Sequence, residues 1–105
     1  QLRFMICANE NPVGCIDLFQ FDASKQQAGV GVLIAGEANR GKGYATEALN
    51  LLKHYASNEL NIVHLFCHIH PNNTASLRLF EKCGFKTICS EELNGETVRY
   101  LMATC

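Results

Sequence analysis

The sequence has no excess of charge of one sign and no long apolar run. Nine Lys and Arg residues face ten Asp and Glu residues, for a net charge of -1. Nucleic-acid binding therefore lacks the basic surface that contacts with phosphate need. No apolar stretch approaches the roughly 18 residues of a membrane span, and the start Gln1-Leu2-Arg3 lacks a signal-peptide pattern. We predict one soluble globular domain over residues 1–105 in the cytoplasm, with neither nucleic acid nor membrane as a partner.

The cysteines form neither a metal motif nor a disulfide framework. There are six of them, yet no two make a C-x-x-C and none has finger spacing to a histidine. A 48% hydrophobic composition supports a core without covalent crosslinks. We interpret the thiols as small buried or edge side chains in a reducing compartment.

The first third of the chain has strand patterns. Apolar Leu2, Phe4 and Ile6 alternate with their neighbours, which is the period of a half-buried strand. A second strand is predicted over Val13 to Phe21. The third begins at about Ala28 and is continuously apolar to Ala35, which favours a central position covered on both faces.

Two helices follow, each beside a further strand. The first is amphipathic to about Ser57, and its predicted apolar stripe is Ala45, Ala48, Leu49, Leu52, Tyr55 and Ala56. The strand Ile62 to His70 completes a β-α-β unit with parallel strands. Asn72 or Asn73 caps the second helix, which ends at Gly84 and has Ser76, Leu79, Phe80 and Cys83 on one face.

A hairpin closes the chain. Its strands run from Phe85 to Glu91 and from Thr97 to Ala103, around the turn Asn94-Gly95. The predicted order is β-β-β-α-β-α-β-β, an α/β fold with a mixed sheet.

The loop before the first helix has a phosphate-binding pattern. It reads Arg40-Gly41-Lys42-Gly43-Tyr44-Ala45. Two glycines allow a tight turn and leave backbone N–H groups uncovered, and the first helical turn adds unpaired amides at the positive end of the dipole. Such a loop is suited to hold phosphates.

These residues, together with a second block, resemble the GNAT superfamily of N-acetyltransferases. Arg40, Gly43 and Ala45 fit the signature Q/R-x-x-G-x-G/A. The segment from Asn73, ending in Lys82-Cys83-Gly84-Phe85, is similar to the family's Asn-led helix that ends in K-x-G-F. The similarity is closest to the branch of spermidine and ribosomal-protein N-terminal acetyltransferases. It begins at the family's second strand, so we expect a partial domain without the first strand and two helices: either the domain is truncated at its N-terminus or another chain supplies that surface.

The resemblance implies direct acetyl transfer from acetyl-CoA to a primary amine: a polyamine, another small amine or a peptide N-terminus. It assigns the pyrophosphate to the loop and the pantetheine to a strand edge and to the second helix. The implied cofactor-binding residues are Leu33, Ile34, Ala35, Arg40, Gly41, Lys42, Gly43, Tyr44, Ala45, Asn73 and Phe80. A backbone N–H at the strand edge would stabilise the oxyanion.

The proton donor departs from the family pattern. Many members have tyrosine where this chain has Phe80, and phenylalanine cannot protonate the departing thiolate. Ser76, one turn earlier, is our candidate for this catalytic role, with water as the alternative. Candidates for the general base are Glu37, His68 and His70.

Two alternatives to an enzyme remain open. A non-catalytic acyl-CoA-binding module fits Phe80 and the missing first elements. The histidines at 64, 68 and 70 share a strand face with Phe66, so a zinc site is conceivable, although no fourth ligand is identified and we assign no metal. The uncovered sheet surface also predicts self-association into a homo-oligomer.

Overall fold

The computed structural model describes residues 1–36, 39 and 41–105 and arranges them as a six-stranded sheet with two helices. The elements are β1 (Leu2–Ala8), β2 (Asn11–Asp22), β3 (Gln27–Ile34), α1 (Tyr44–Leu60), β4 (His64–Ile69), α2 (Thr74–Lys82), β5 (Lys86–Leu93) and β6 (Glu96–Thr104). This order confirms the predicted fold class. The sheet order is β1-β2-β3-β4-β6-β5, and β3–β4 is its parallel pair, as the β-α-β pattern predicts.

Helix α1 begins directly after the glycine loop. Gly43 is its N-cap in the left-handed conformation, and the helix continues past the predicted end at Ser57 to Leu60. Leu49, Leu52 and Ala56 of the predicted stripe are buried. Tyr55, which we also predict in the stripe, is 40% exposed. Its ring lies at the rim of the sheet and packs edge-on against Phe4.

Helix α2 is capped by Asn73 and not by Asn72. The Asn73 carboxamide oxygen accepts a hydrogen bond from the Ser76 backbone N–H at 3.2 Å. Leu77, Phe80 and Cys83 form the buried face, so the predicted face omitted Leu77. Gly84 has a φ of 92°, which confirms the left-handed ending.

Both helices contribute to one core on one face of the sheet. That core joins the two helices to Ile16, Leu18, Ala28, Val30, Leu65 and Leu101 of the strands. The Lys53 ammonium of α1 donates a hydrogen bond to the Cys83 carbonyl at 2.8 Å and so ties the helices together.

The prediction that β3 is covered on both faces is wrong for its second half. Ala28, Gly29 and Val30 are buried, whereas Leu33 is 61% exposed. The described residues place both helices on one face, so the side chains of late β3 that point the other way have no helix over them.

Phe19 occupies the space above Gly29 on that second face. The two residues are register partners in β2 and β3, and a Cβ on Gly29 would overlap the Phe19 ring. An aromatic ring over a strand glycine compensates for the side chain that glycine lacks. All six cysteines are free thiols. Neither helix within the described residues is long and apolar enough to cross a membrane.

Candidate functional site

The parallel strands β3 and β4 separate and leave a cleft in the sheet. Their register contains three pairs, Gln27 with His64, Ala28 with Leu65 and Gly29 with Phe66. Beyond Gly29, β3 continues for five more residues, to Ile34, without a partner in β4. The cleft therefore opens toward the carboxyl ends of both strands, where the glycine loop and α2 begin.

The rim of this cleft is formed by alternate residues of β3. The Ala35 N–H donates to the Val13 carbonyl at 2.7 Å, so Ala35 directs its backbone toward β2. A Cβ on Gly14 would overlap the Leu33 carbonyl oxygen, so Leu33 faces β2 as well. Because successive residues of a strand face opposite edges, the amides of Ile34 and Val32 point into the cleft.

This alternation corrects the predicted strand edge of Leu33, Ile34 and Ala35. The Ala35 amide is already bonded, so it cannot bind a ligand in the cleft. The Ile34 amide faces the cleft, so its backbone role stays a prediction, and Val32 is the second cleft-facing amide that the sequence reasoning missed. The period of two in the strand was the signal, but it needs the register with β2 to fix which residues face the cleft.

The glycine loop lies at the open end of the cleft. Gly41 and Gly43 have φ values of 75° and 80°, and no described atom lies within 4 Å of a Cβ built on either. Conformation and not crowding therefore requires glycine here. No side chain of the described residues caps α1, so its first-turn amides, from Tyr44 onward, have no side-chain acceptor among them. Lys42 is exposed at the loop.

Arg40 and Glu37, which are sequence candidates for phosphate binding and for the general base, lie outside the described residues. The described loop residues nevertheless present backbone donors at the end of the cleft.

The start of α2 lies at the same edge, because it follows the carboxyl end of β4. Asn73 is exposed and already accepts from the Ser76 N–H, so its carboxamide oxygen acts as a helix cap. Ser76 is half-buried in the first turn, and its hydroxyl is not used for capping. Phe80 is only 5% exposed and packs edge-to-face on Phe85 at 5.0 Å, so the structure gives it a packing role. Its place beside a cofactor stays a prediction.

An aromatic cluster lines the face of the sheet opposite the helices. Phe66 and His68 of β4 contact Tyr100 of β6, with ring centroids 5.7 and 5.2 Å from that of Tyr100. Phe19 approaches Phe66 from the β2 side at 6.3 Å. Burial, together with the Glu91 carboxylate, raises the pKa of the Tyr100 hydroxyl, so this group is neutral at pH 7.

His68 has a carboxylate partner. Its Nε2 lies 2.7 Å from Glu91 Oε1, and its side chain is 27% exposed. His68 also lies two residues beyond Phe66, the last β4 residue that pairs with β3. It therefore stands beside the open part of the cleft.

His70 differs from His68 in its contacts. Its Nε2 is 4.0 Å from Glu96 Oε2, and its side chain is 46% exposed. The described part of the chain contains no group of three or more His, Cys, Asp or Glu residues placed to hold a metal ion. The zinc alternative thus has no support from these residues, because His68 and His70 pair with different glutamates.

A groove of about 620 Å³ between β1 and α1 was missed by the sequence reasoning. Phe4 and Ile6 form one wall, while Tyr44, Glu47 and Leu51 form part of the other. Leu51 is 67% exposed. An apolar residue outside the predicted helix stripe was the available signal for this second surface.

Comparisons with known proteins agree with this geometry. The model of the acetyltransferase (GNAT) domain family matches residues 1–86. Spermidine N(1)-acetyltransferase of Vibrio cholerae is 30% identical over 84 residues, which cover 79% of this chain and 48% of that protein. The probable N-acetyltransferase YjcK of Bacillus subtilis is 34% identical over 79 residues, 74% of this chain and 43% of YjcK. The chain thus spans less than half of each of these two relatives.

Solved structures share the fold. A chimera of the Vibrio cholerae spermidine N-acetyltransferase SpeG with hSSAT superposes with a TM-score of 0.86 at 25% identity, over 97% of this chain and 65% of the other. The structure of AAC(6')-Ib with ribostamycin and coenzyme A has a TM-score of 0.85 at 19% identity, over 97% and 63% of the two chains. At that lower identity the likeness concerns the fold alone.

Proposed function

Because the chain belongs to the GNAT acetyltransferase family, we propose that it transfers the acetyl group of acetyl-CoA directly to a primary amine. The observation that carries this proposal is the cleft between β3 and β4. Among the described residues, the amides on its rim have no partner in β4, and the helix start at its open end has no side-chain cap. A strand rim with unpaired backbone groups binds an extended ligand that contains amides. A helix start with unpaired N–H groups binds a diphosphate.

The described residues fit this cofactor in three places. Backbone N–H groups from Gly41 to Ala45 would hold the pyrophosphate, with Lys42 adding positive charge at its edge. The cleft-facing backbone of Val32 and Ile34 would pair with the pantetheine arm. Asn73 would contact a pantetheine amide through the part of its carboxamide that does not cap α2.

The chemistry then follows from the amides and α2. An Ile34 N–H directed at the thioester carbonyl would stabilise the negative charge that develops on its oxygen as the amine attacks. The leaving thiolate needs a proton, which Ser76 or water would supply. A thiol with an ordinary pKa near 8.5 is an undemanding leaving group, so a weak acid suffices.

The proposed acceptor is a primary amine of a polyamine, another small molecule or a peptide N-terminus. Spermidine N-acetyltransferases among the relatives support an aliphatic polyamine. The proposal also includes a cytoplasmic location, to which six free thiols are suited.

Two measurements on the same preparation test the proposal. Isothermal titration should detect coenzyme A binding, and a thiol-release assay with acetyl-CoA should show turnover with at least one amine from a panel of polyamines, aminoglycosides and peptide N-termini. Absence of coenzyme A binding would refute the whole proposal.

A second function is a non-catalytic acyl-CoA-binding module. The buried Phe80 favours this module, because its side chain has no phenolic hydroxyl to protonate the thiolate. The enzyme would need Ser76 of α2 or water as a replacement. Coenzyme A binding without turnover for any amine of the panel would select this module over the enzyme.

We further propose that the chain self-associates through the groove between β1 and α1. Exposed apolar side chains such as Leu51 and Met5, 67% and 61% exposed, line this surface. Light scattering should give a mass above that of one chain, and Leu51→Glu should reduce it to the monomer. A monomeric unmodified chain would refute self-association.

A further inference from the structure

The proposed reaction requires a base, because an alkylammonium acceptor must lose a proton before its nitrogen can attack. Among the sequence candidates whose structure is described, His68 and His70 both lie at the carboxyl end of β4. The structure distinguishes them by their position along the cleft, by their partners and by their aromatic neighbours.

Glu91 fixes which nitrogen of His68 is free. A carboxylate only accepts hydrogen bonds, so the Nε2 atom at 2.7 Å from Glu91 Oε1 must carry the hydrogen. The neutral imidazole then keeps the lone pair on Nδ1. A histidine held by a carboxylate in this way has one defined tautomer, which is what proton abstraction by a fixed atom needs.

Aromatic neighbours restrict the rotation of the same ring. Phe66 packs edge-to-face on His68 at 5.9 Å, and Tyr100 lies at 5.2 Å with the ring planes tilted by 47°. His70 is held differently: its Nδ1 accepts a hydrogen bond from the Asn72 N–H at 3.3 Å, its carboxylate partner is 4.0 Å away and its side chain is more exposed.

We propose that His68, positioned by Glu91, is the base that removes the proton from the acceptor ammonium beside the cleft between β3 and β4. This inference rests on the proposed acetyl transfer. The ammonium N–H bond breaks and its proton goes to His68 Nδ1. The amine nitrogen then forms a bond to the acetyl carbon, the carbon–sulfur bond breaks, and the thiolate leaves with that electron pair and is protonated as proposed above. The nitrogen is positively charged after the attack and releases its second proton to water, which gives the neutral amide. The imidazolium afterwards releases its proton to water.

Several titratable groups lie around His68. Glu91 approaches from β5 and the neutral Tyr100 from β6, Cys89 of β5 is the register partner of Tyr100, and His70 follows the end of β4. Glu91 supplies the negative charge that stabilises the imidazolium formed during the reaction. Glu91 is thus a positioning residue and not one that touches the substrate.

Turnover of His68→Gln, Glu91→Gln and the control His70→Gln should be compared as a function of pH, with the best amine of the panel. His68→Gln should lower kcat about 100-fold and abolish the acid limb of the kcat/KM profile. Glu91→Gln should lower kcat less, because the imidazole loses the contact that fixes its tautomer. His70→Gln, just beyond the end of β4, should keep the activity of the unmodified protein, because the His70 Nδ1 already accepts a hydrogen bond and is not the base. Coenzyme A affinity should be unchanged in all three.

A second measurement does not depend on turnover. Long-range proton–nitrogen NMR should show His68 as the Nε2–H tautomer in the unmodified protein and a mixture of tautomers in Glu91→Gln. Equal activity of His68→Gln and the unmodified protein, or an equal loss in His70→Gln, would overturn the assignment while leaving acetyl transfer intact. Coenzyme A binding without any turnover in the unmodified protein would instead refute the proposed function, and this assignment with it.

Discussion

Replacing Gly43 by alanine tests the glycine loop most directly. The φ of 80° is a left-handed conformation, which costs a residue with a Cβ about 1–2 kcal/mol. No described atom lies within 4 Å of the added Cβ, so no steric clash contributes to this cost. The alanine variant can relax its backbone in the free protein, and ligand binding must then restore the left-handed turn. We therefore expect the cost to appear as weaker coenzyme A binding, about 5- to 30-fold, measured by isothermal titration.

Gly95 provides a matched control. Its φ is 81°, and it also has open space around its Cβ position. It lies in the turn between β5 and β6, whose pairing extends to Leu93 with Glu96 and prevents relaxation. Gly95→Ala should thus lose about 1–2 kcal/mol of unfolding free energy in urea and keep its coenzyme A affinity. Asparagine tolerates the left-handed region, so Gly43→Asn should bind better than Gly43→Ala.

The reasoning fails in either of two results. Gly43→Ala could bind coenzyme A as tightly as the unmodified protein, which would remove the loop amides from the binding site. Alternatively, Gly95→Ala could lose as much affinity as Gly43→Ala, which would show that general destabilisation and not loop geometry weakens binding.

Three further variants test other parts of the structure. Ser76→Ala should lower kcat in the thiol-release assay without changing coenzyme A affinity, and an unchanged kcat would assign the thiolate proton to water. Gly29→Val should displace the Phe19 ring and reduce the unfolding free energy by about 1–3 kcal/mol in urea; an unchanged urea midpoint would contradict the overlap. Arg3 lowers the pKa of the Asp17 carboxyl below its ordinary value of 3.8. The carboxylate therefore contributes fully to the free energy of unfolding above that pH, and this contribution is lost as the pH falls below it. The stability difference between the unmodified protein and Asp17→Asn should accordingly shrink on acidification, and a constant difference would refute the pairing.

The order of elements was predictable because each has a strong local signal. Alternation in β1, the continuous apolar run of β3 and the turn Asn94-Gly95 needed no tertiary information. The cap at Asn73 and the left-handed Gly84 were also local, since they depend on a side-chain amide and on an absent Cβ. The phosphate-loop pattern was visible for the same reason.

What sequence could not supply was the pairing between distant strands. The separation of β3 from β4 after Gly29 and Phe66 is a property of the sheet and leaves no residue pattern. The availability of Ile34 and not Ala35 depends on one hydrogen bond to Val13, twenty-two positions earlier along the chain than Ala35. The contact between His68 and Glu91 spans two neighbouring strand pairs, so the sequence could name His68 as one base candidate among three but could not indicate Glu91 as its partner.

The short pairing between β3 and β4, three register pairs, leaves the sheet in two weakly connected halves. Strands β1, β2 and β3 form one half of the sheet and β4, β6 and β5 form the other. Among the described residues, the strand pairing between the two halves is confined to one end of the boundary between β3 and β4. A ligand that forms backbone hydrogen bonds along Val32 and Ile34 would extend this pairing and connect the two halves of the sheet more firmly. Ligand binding in the cleft and the rigidity of the whole sheet are therefore coupled. When the cleft is occupied, amide hydrogen exchange should become slower at β3 and β4 and also in the strands on either side of them.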